Sequence, residues 1–246
     1  MPRLGGFNLT FLYLEIRRLI RNRRTVIITL IVPIALFFLF RSGKRFQVGP
    51  GAAAATMIGL AVYGSMLSAT AGGALVSVER ALGWSRQLRL TPLRPPAYVA
   101  IKIITAMLLS LVSVAIVYTA GAVDGVQMAL QTWFLTGALA WGGGVVFATF
   151  GLFMGYLLPS ENVMQFIGPV LGVFALVGGL FVPIRLLPSA IQDIAPYMPP
   201  YGVAQIARYP LVGGTFDITW VISLVVWSAA FGAGAMLLFR RDTRRA

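Results

Sequence analysis

The sequence contains no cysteine and no histidine, and its 246 residues include only two lysines and seven acidic side chains. Each shortage removes a class of chemistry. Without cysteine there is no disulfide framework and no thiolate nucleophile. Without either residue type there is no zinc site of the usual kind and no imidazole base. Lys44 is followed by Arg45 and Lys102 by Ile103, so neither completes the G-x-x-x-x-G-K-[ST] phosphate loop. The chain is therefore expected not to hydrolyse ATP by itself. No G-x-S-x-G elbow is present, and nothing is available to activate a serine. Of the carboxylates, Glu15, Asp124, Asp193, Asp217 and Asp242 fall outside the apolar runs, and Glu79 and Glu161 at their edges. An ion-coupled carrier needs an ionisable group near the bilayer centre, which argues against that class.

What the sequence has is apolar length. Hydrophobic residues make up 58% of the chain and charged ones 11%, with a mean hydropathy of +0.85. That balance belongs to an integral membrane protein. The net charge of +13 would suggest nucleic acid in a water-soluble chain; here the basic residues flank apolar runs and set topology instead. The fold class expected is all-α, with six transmembrane helices near residues 25–40, 52–78, 103–123, 133–158, 163–184 and 218–239 in a single domain, 1–246. Most have the ~20 residues a span requires. The first is short, about 24 Å of helix at 1.5 Å per residue, and crosses only if its flanking arginines snorkel or it starts earlier. No small-residue cleavage site follows it, so it is read as a retained anchor.

Lysine and arginine counts orient the spans. With both termini cytoplasmic, fifteen basic residues lie inside, in the leader, around 80–102 and in the tail. Five, Arg41, Lys44, Arg45, Arg185 and Arg208, lie outside.

Three segments between the spans carry pattern. Over 7–24, Leu9, Leu12, Ile16, Leu19 and Ile20 share a helical face opposite Arg17, Arg18 and Arg21, with Asn8 as a candidate N-cap. This predicts a helix lying flat in the membrane interface, or else a plain extension of the first span. Over 79–92, Ala81, Trp84 and Leu88 align on one side and Arg86 and Arg89 on the other. Pro92 would stop that helix, and Pro95 and Pro96 would hold the chain extended up to Tyr98. Over 185–217, Pro188 and Pro196 bracket one short helix, and Gly202 and Pro210 another, in a segment too apolar for an ordinary loop; it reads as re-entrant. Small residues recur at four-residue spacing, as in Ser68/Gly72, Ala69/Gly73, Gly151/Gly155, Gly168/Gly172 and Ala230/Gly234. They suit close helix packing without singling out an interface.

The stretch "VERALGWSRQLRLTPLRPPAYVAIK", residues 78–102, resembles the signature of ABC transporter permeases of the type-two exporter class: Glu79, Gly83, Leu88, Thr91-Pro92, Tyr98 and Lys102 stand at the patterned positions. Residues 187–214 are similar to that family's outer re-entrant segment, and the basic leader matches its interfacial helix. Many relatives carry a second acidic residue where this chain has Ala81.

The resemblance implies a subunit that pairs with an identical or homologous permease. Two cytoplasmic ABC ATPase subunits would bind ATP and magnesium, so the chain itself needs no cofactor. It implies a coupling helix at 79–92, with Glu79, Arg80, Gly83, Trp84, Arg86, Gln87, Leu88, Arg89, Thr91 and Pro92 as ATPase-contacting residues and Trp84 and Leu88 as anchors. Arg86 and Arg89 would pair with acidic residues of the ATPase or face lipid headgroups, and Glu79 would pair with a helix N-terminus or a basic residue of the leader. In the family, spans two and five line the path. That makes Met57, Tyr63, Met66, Thr70, Asn162, Gln165, Phe166 and Phe174 candidates there, with ordinary helix packing as the alternative role for each. An apolar, aromatic lining suits a lipophilic cargo such as a drug, antibiotic or lipid, exported across a prokaryotic plasma membrane. The alternatives are a polysaccharide or glycolipid exporter permease and a non-transporting membrane scaffold. No nucleic-acid partner is expected.

Overall fold

A computed structural model describes residues 9–21, 23–42, 51–83 and 95–245. Among them the chain is helical and has no strand. The helices are α1 (Leu9–Arg21), α2 (Arg23–Ser42), α3 (Ala52–Ala74), α4 (Val76–Ala81), α5 (Pro95–Val123), α6 (Leu130–Gly142), α7 (Gly144–Leu157), α8 (Ser160–Val177), α9 (Ser189–Ile194), α10 (Pro199–Val212) and α11 (Ile218–Arg245).

Five stretches are long and apolar enough to cross a membrane: Ala52–Ala81, Pro96–Val123, Leu130–Leu157, Ser160–Val177 and Ile218–Asp242. Leu30–Phe40 within α2 is a shorter apolar helix. The protein is thus a multi-pass helical membrane protein.

The central helix is α3, buried along most of its length. Its small residues allow this, because between helices in lipid the attraction is close packing and hydrogen bonding rather than expulsion of water. Gly72 lies against Ala106 of α5, while its neighbour Gly73 lies against Ala148, Gly151 and Leu152 of α7. Gly151 in turn fits against the backbone of Thr70. The recurring small residues therefore have different uses. Those at 72–73 and 151–155 bring α5 and α7 close against α3. Gly168 and Gly172 of α8 face open space, and Gly234 meets only the ring of Phe153. Buried hydroxyls tie the same helices: Ser65 and Ser110 are 2.7 Å apart, and Thr70 donates to the Phe147 carbonyl at 3.3 Å.

Several expected boundaries move. The third span does not begin at residue 103: Pro95 and Pro96 start α5 rather than holding the chain extended. Proline costs nothing in a first helical turn, where its missing N–H has no partner to lose. The fourth span is two helices that meet at Gly143, which keeps helical backbone angles and whose bare Cα accepts Val203 of α10. The fifth ends at Val177 instead of 184, closed by a turn in which Gly179 has φ +63. In the 185–217 segment, Pro188 precedes α9 as expected. Gly202 and Pro210 lie inside α10, which starts at the Pro199-Pro200 pair and ends at Gly213. The buried side of α10 (Gly202, Val203, Ala204, Ile206 and Ala207) packs into the end of the bundle against α3, α6 and α11.

The outer helices bury little of their apolar surface. Only 24% of the apolar window of α8 and 6% of that of α11 is buried, so both present broad apolar faces away from the bundle. The start of α11 is fixed by Asp217, which accepts the Thr219 N–H at 2.9 Å.

Candidate functional site: a buried charge cluster at one end of the bundle

Glu79 lies in the short helix α4, which extends α3 beyond the turn at Leu75. Lys102 lies two turns into α5, which packs along α3. The packing of Gly72 on Ala106 brings the two helices close enough for these side chains to meet. Lys102 Nζ donates to Glu79 Oε1 and to Glu15 Oε2 of α1, and lies over the Tyr98 ring at 5.4 Å from its centroid. Glu79 Oε2 accepts the Tyr98 hydroxyl at 2.8 Å, and Arg18 of α1 reaches Glu79 Oε1 at 3.1 Å. Two carboxylates and two cations make the cluster neutral. The Lys102, Glu79 and Glu15 side chains are 2%, 4% and 9% exposed, so three charges have left water together, and Arg18 at 43% closes the outer side. A small cavity of about 110 Å³ remains among them.

A second set lies alongside. Arg80 makes a paired contact with Asp242 near the end of α11, Nη2 to Oδ1 at 3.0 Å and Nε to Oδ2 at 3.2 Å. Its Nη1 donates to the carbonyls of Gly155 and Tyr156 where α7 ends. The Tyr98 and Tyr156 rings both pack on Phe239 of α11, so aromatic and ionic contacts bind the same four helix ends. Gly83, with φ +74, turns the chain out of α4, which ends at Ala81. Leu82 beside it is exposed. The turn opens onto a cleft of about 830 Å³ lined by Arg80, Gly83, Pro159, Glu161 and Asp242 among others. Glu79 and Glu161 line separate cavities.

Of the residues singled out by sequence, Glu79, Arg80 and Gly83 are brought together here. Trp84, Arg86, Gln87, Leu88, Arg89, Thr91 and Pro92 lie outside the described residues, as do Asn8 and the rest of the 79–92 segment beyond Gly83. The helix that sequence starts at 79 ends at Ala81 in its described part. The path candidates divide. Met57 and Met66 are fully buried, Met57 against Gly121 of α5, and Thr70 is held between α3 and α7. Tyr63 is half-buried, edge-on to Phe181, and Phe174 packs on Phe150. Asn162, Gln165 and Phe166 are exposed on α8. Glu15 was not a sequence candidate; its position beside Leu12, Ile16 and Leu19 on the leader helix was the available signal. Among the described residues, no group of three or more potential ligand side chains could hold a metal ion.

A multi-pass helical bundle in which, among the described residues, a buried ionic cluster ties a leader helix to two spans is compatible with a transporter's membrane subunit. The family comparison agrees: residues 9–212 match the model described as "ABC-2 type transporter". The chain belongs to that family, and is a permease subunit of it. A curated relative named "Putative transport permease YvfS", from Bacillus subtilis (strain 168), is 26% identical over 222 residues, covering 88% of this chain and 90% of the relative.

Proposed function

We propose that the chain is the membrane subunit of an ATP-driven exporter, with six spans, both termini cytoplasmic, and a paired permease completing the membrane unit. Two separate ATPase subunits bind ATP and magnesium and dock on residues 79–92, where Trp84 and Leu88 fill the ATPase cleft. The cargo is a lipophilic or amphiphilic compound, consistent with the exposed apolar faces of α8 and α11. Asn162, Gln165 and Phe166 of α8 are the path residues best placed to meet it, since they already face outward from the single chain. Met57, Met66 and Thr70 act through packing. The membrane is the plasma membrane of a prokaryotic cell.

One observation carries this reading. Glu79 and Lys102 bound the stretch that carries the docking motif, and they meet in a buried ion pair that also takes in Glu15 of α1. A push delivered anywhere between residues 80 and 101 arrives at a joint shared by α1, α4 and α5, and α4 continues into the central helix α3. Buried, mutually satisfied charges hold such a joint to one geometry, because any displacement strands a charge.

The absence of cysteine makes the test direct. Spin labels on Ala100→Cys in α5 and Gln165→Cys in α8 report the distance between a joint-bearing span and the loosely held α8. In the complex with its ATPase, exchanging ADP for ATP should shift that distance. Lys102→Met should abolish the shift while the ATPase stays bound and active. An equal shift in the variant would remove the joint from the mechanism.

A further inference from the structure

At the end of the bundle opposite the charge cluster, the start of α3, the turn after α8 and the end of α10 enclose a cavity of about 590 Å³. This is within the ~300–1,000 Å³ range of small-molecule sites. Its walls are mostly apolar, including Ala52, Ala55, Phe181, Leu186 and Leu211, and no lining residue is acidic. Two arginines, Arg185 and Arg208, line it.

Arg208 is held in place by the fold. Its Nη1 and Nη2 donate to the carbonyls of Gly179 and Leu180 at 2.9 and 3.2 Å, and Gly59 of α3 leaves the room the guanidinium fills. A Cβ at position 59 would strike Nη2. The two acceptors are neutral, and among the described residues no carboxylate lies within ion-pair distance of either arginine. Nε of Arg208 is buried with no hydrogen-bond partner. Burial pulls this guanidinium down to about 10, which leaves it cationic at neutral pH. A part-buried cation with a buried, unused donor and, among the described residues, no counter-charge is a costly arrangement unless an anion completes it.

We propose that this cavity binds the anionic head of an amphiphile, a phosphate or carboxylate contacted by Arg208 and Arg185, with its hydrocarbon against the apolar wall. The planar guanidinium suits an oxyanion, and the position where spans end and the re-entrant segment begins suits a molecule that is part lipid. The site stands apart from the charge cluster and does not depend on how the subunit is powered.

The test places the purified chain in phosphatidylcholine nanodiscs containing a few mole per cent phosphatidylglycerol and counts retained lipid by native mass spectrometry. The native chain should retain phosphatidylglycerol selectively. Arg185→Gln, an exposed position that does not enter the packing, should weaken retention roughly fivefold to tenfold, and Arg208→Gln more. A parallel titration with inorganic phosphate separates the sources: displacement of the lipid assigns a site that also takes a free anion, and undisturbed retention assigns one that needs the lipid tails. Equal retention of the two lipids by the native chain, or retention of phosphatidylglycerol undiminished in both variants, would overturn the proposal.

Discussion

Lys102 has two carboxylates within bonding reach and almost no contact with solvent. Replacing it with methionine keeps the volume and leaves Glu15 without a cation and Glu79 with only the half-exposed Arg18. Breaking a buried pair from one side costs about 3–5 kcal/mol, far more than an exposed ion pair contributes. Tyr98→Phe removes one bond to a charged oxygen, about 1.5–3 kcal/mol, and leaves the ion pair whole. Thermal unfolding in detergent should therefore rank Lys102→Met below Tyr98→Phe and both below the native chain. A Lys102→Met protein as stable as the native one would mean the cluster is not formed. Three of the four charges of this cluster are legible in sequence: Glu79 and Lys102 bracket a recognisable motif, and Arg18 belongs to the basic leader that offers a partner for Glu79. Glu15 is not legible, because one acid among leader arginines looks like a surface charge until α1 is laid against α5. Arg208 hides for a similar reason. As one more basic residue outside the spans it enters a topology count, and only the fold places its guanidinium beneath the turn after α8.

The helices show the same division between what pattern reveals and what packing decides. Apolar length finds five of the six expected spans as helices long enough to cross, while at the first the described apolar helix is the shorter Leu30–Phe40. Their ends are harder, because proline and glycine each permit opposite outcomes. Pro95-Pro96 and Pro199-Pro200 begin helices here, and Gly202 sits within one, against the Trp220 backbone. Small-residue spacing likewise does not say which pairs touch. Gly151→Ala should cost about 1–3 kcal/mol, since its Cβ would run into the Thr70 carbonyl and force α7 off α3. Gly172→Ala meets nothing within 4 Å and should be neutral or stabilising by up to about 1 kcal/mol from helix propensity. Unfolding midpoints of the two variants separate the cases, and equal losses would place Gly172 in a packed interface as well.

Among the described residues the molecule is a core of α3, α5 and α7, with α8 lightly held on one flank and α11 packed on α7 and α10 while presenting an apolar face outward, and with ionic ties at one end. That distribution suits a subunit that takes a force at its charged end and yields along α8, where little packing resists. It also explains the composition. A chain without a phosphate loop, imidazole or thiol suits the proposal that a separate ATPase supplies the work, with residues 79–92 as its proposed binding site. The most direct measurement is purification of the tagged chain from its native membrane in mild detergent, with mass spectrometry of the proteins that stay bound, repeated for Trp84→Ala. The account predicts a P-loop ATPase in stoichiometric amount with the native chain and its loss from a variant that still folds. A chain that purifies without an ATPase, or a variant that keeps it undiminished, would contradict the assignment of this stretch as the socket.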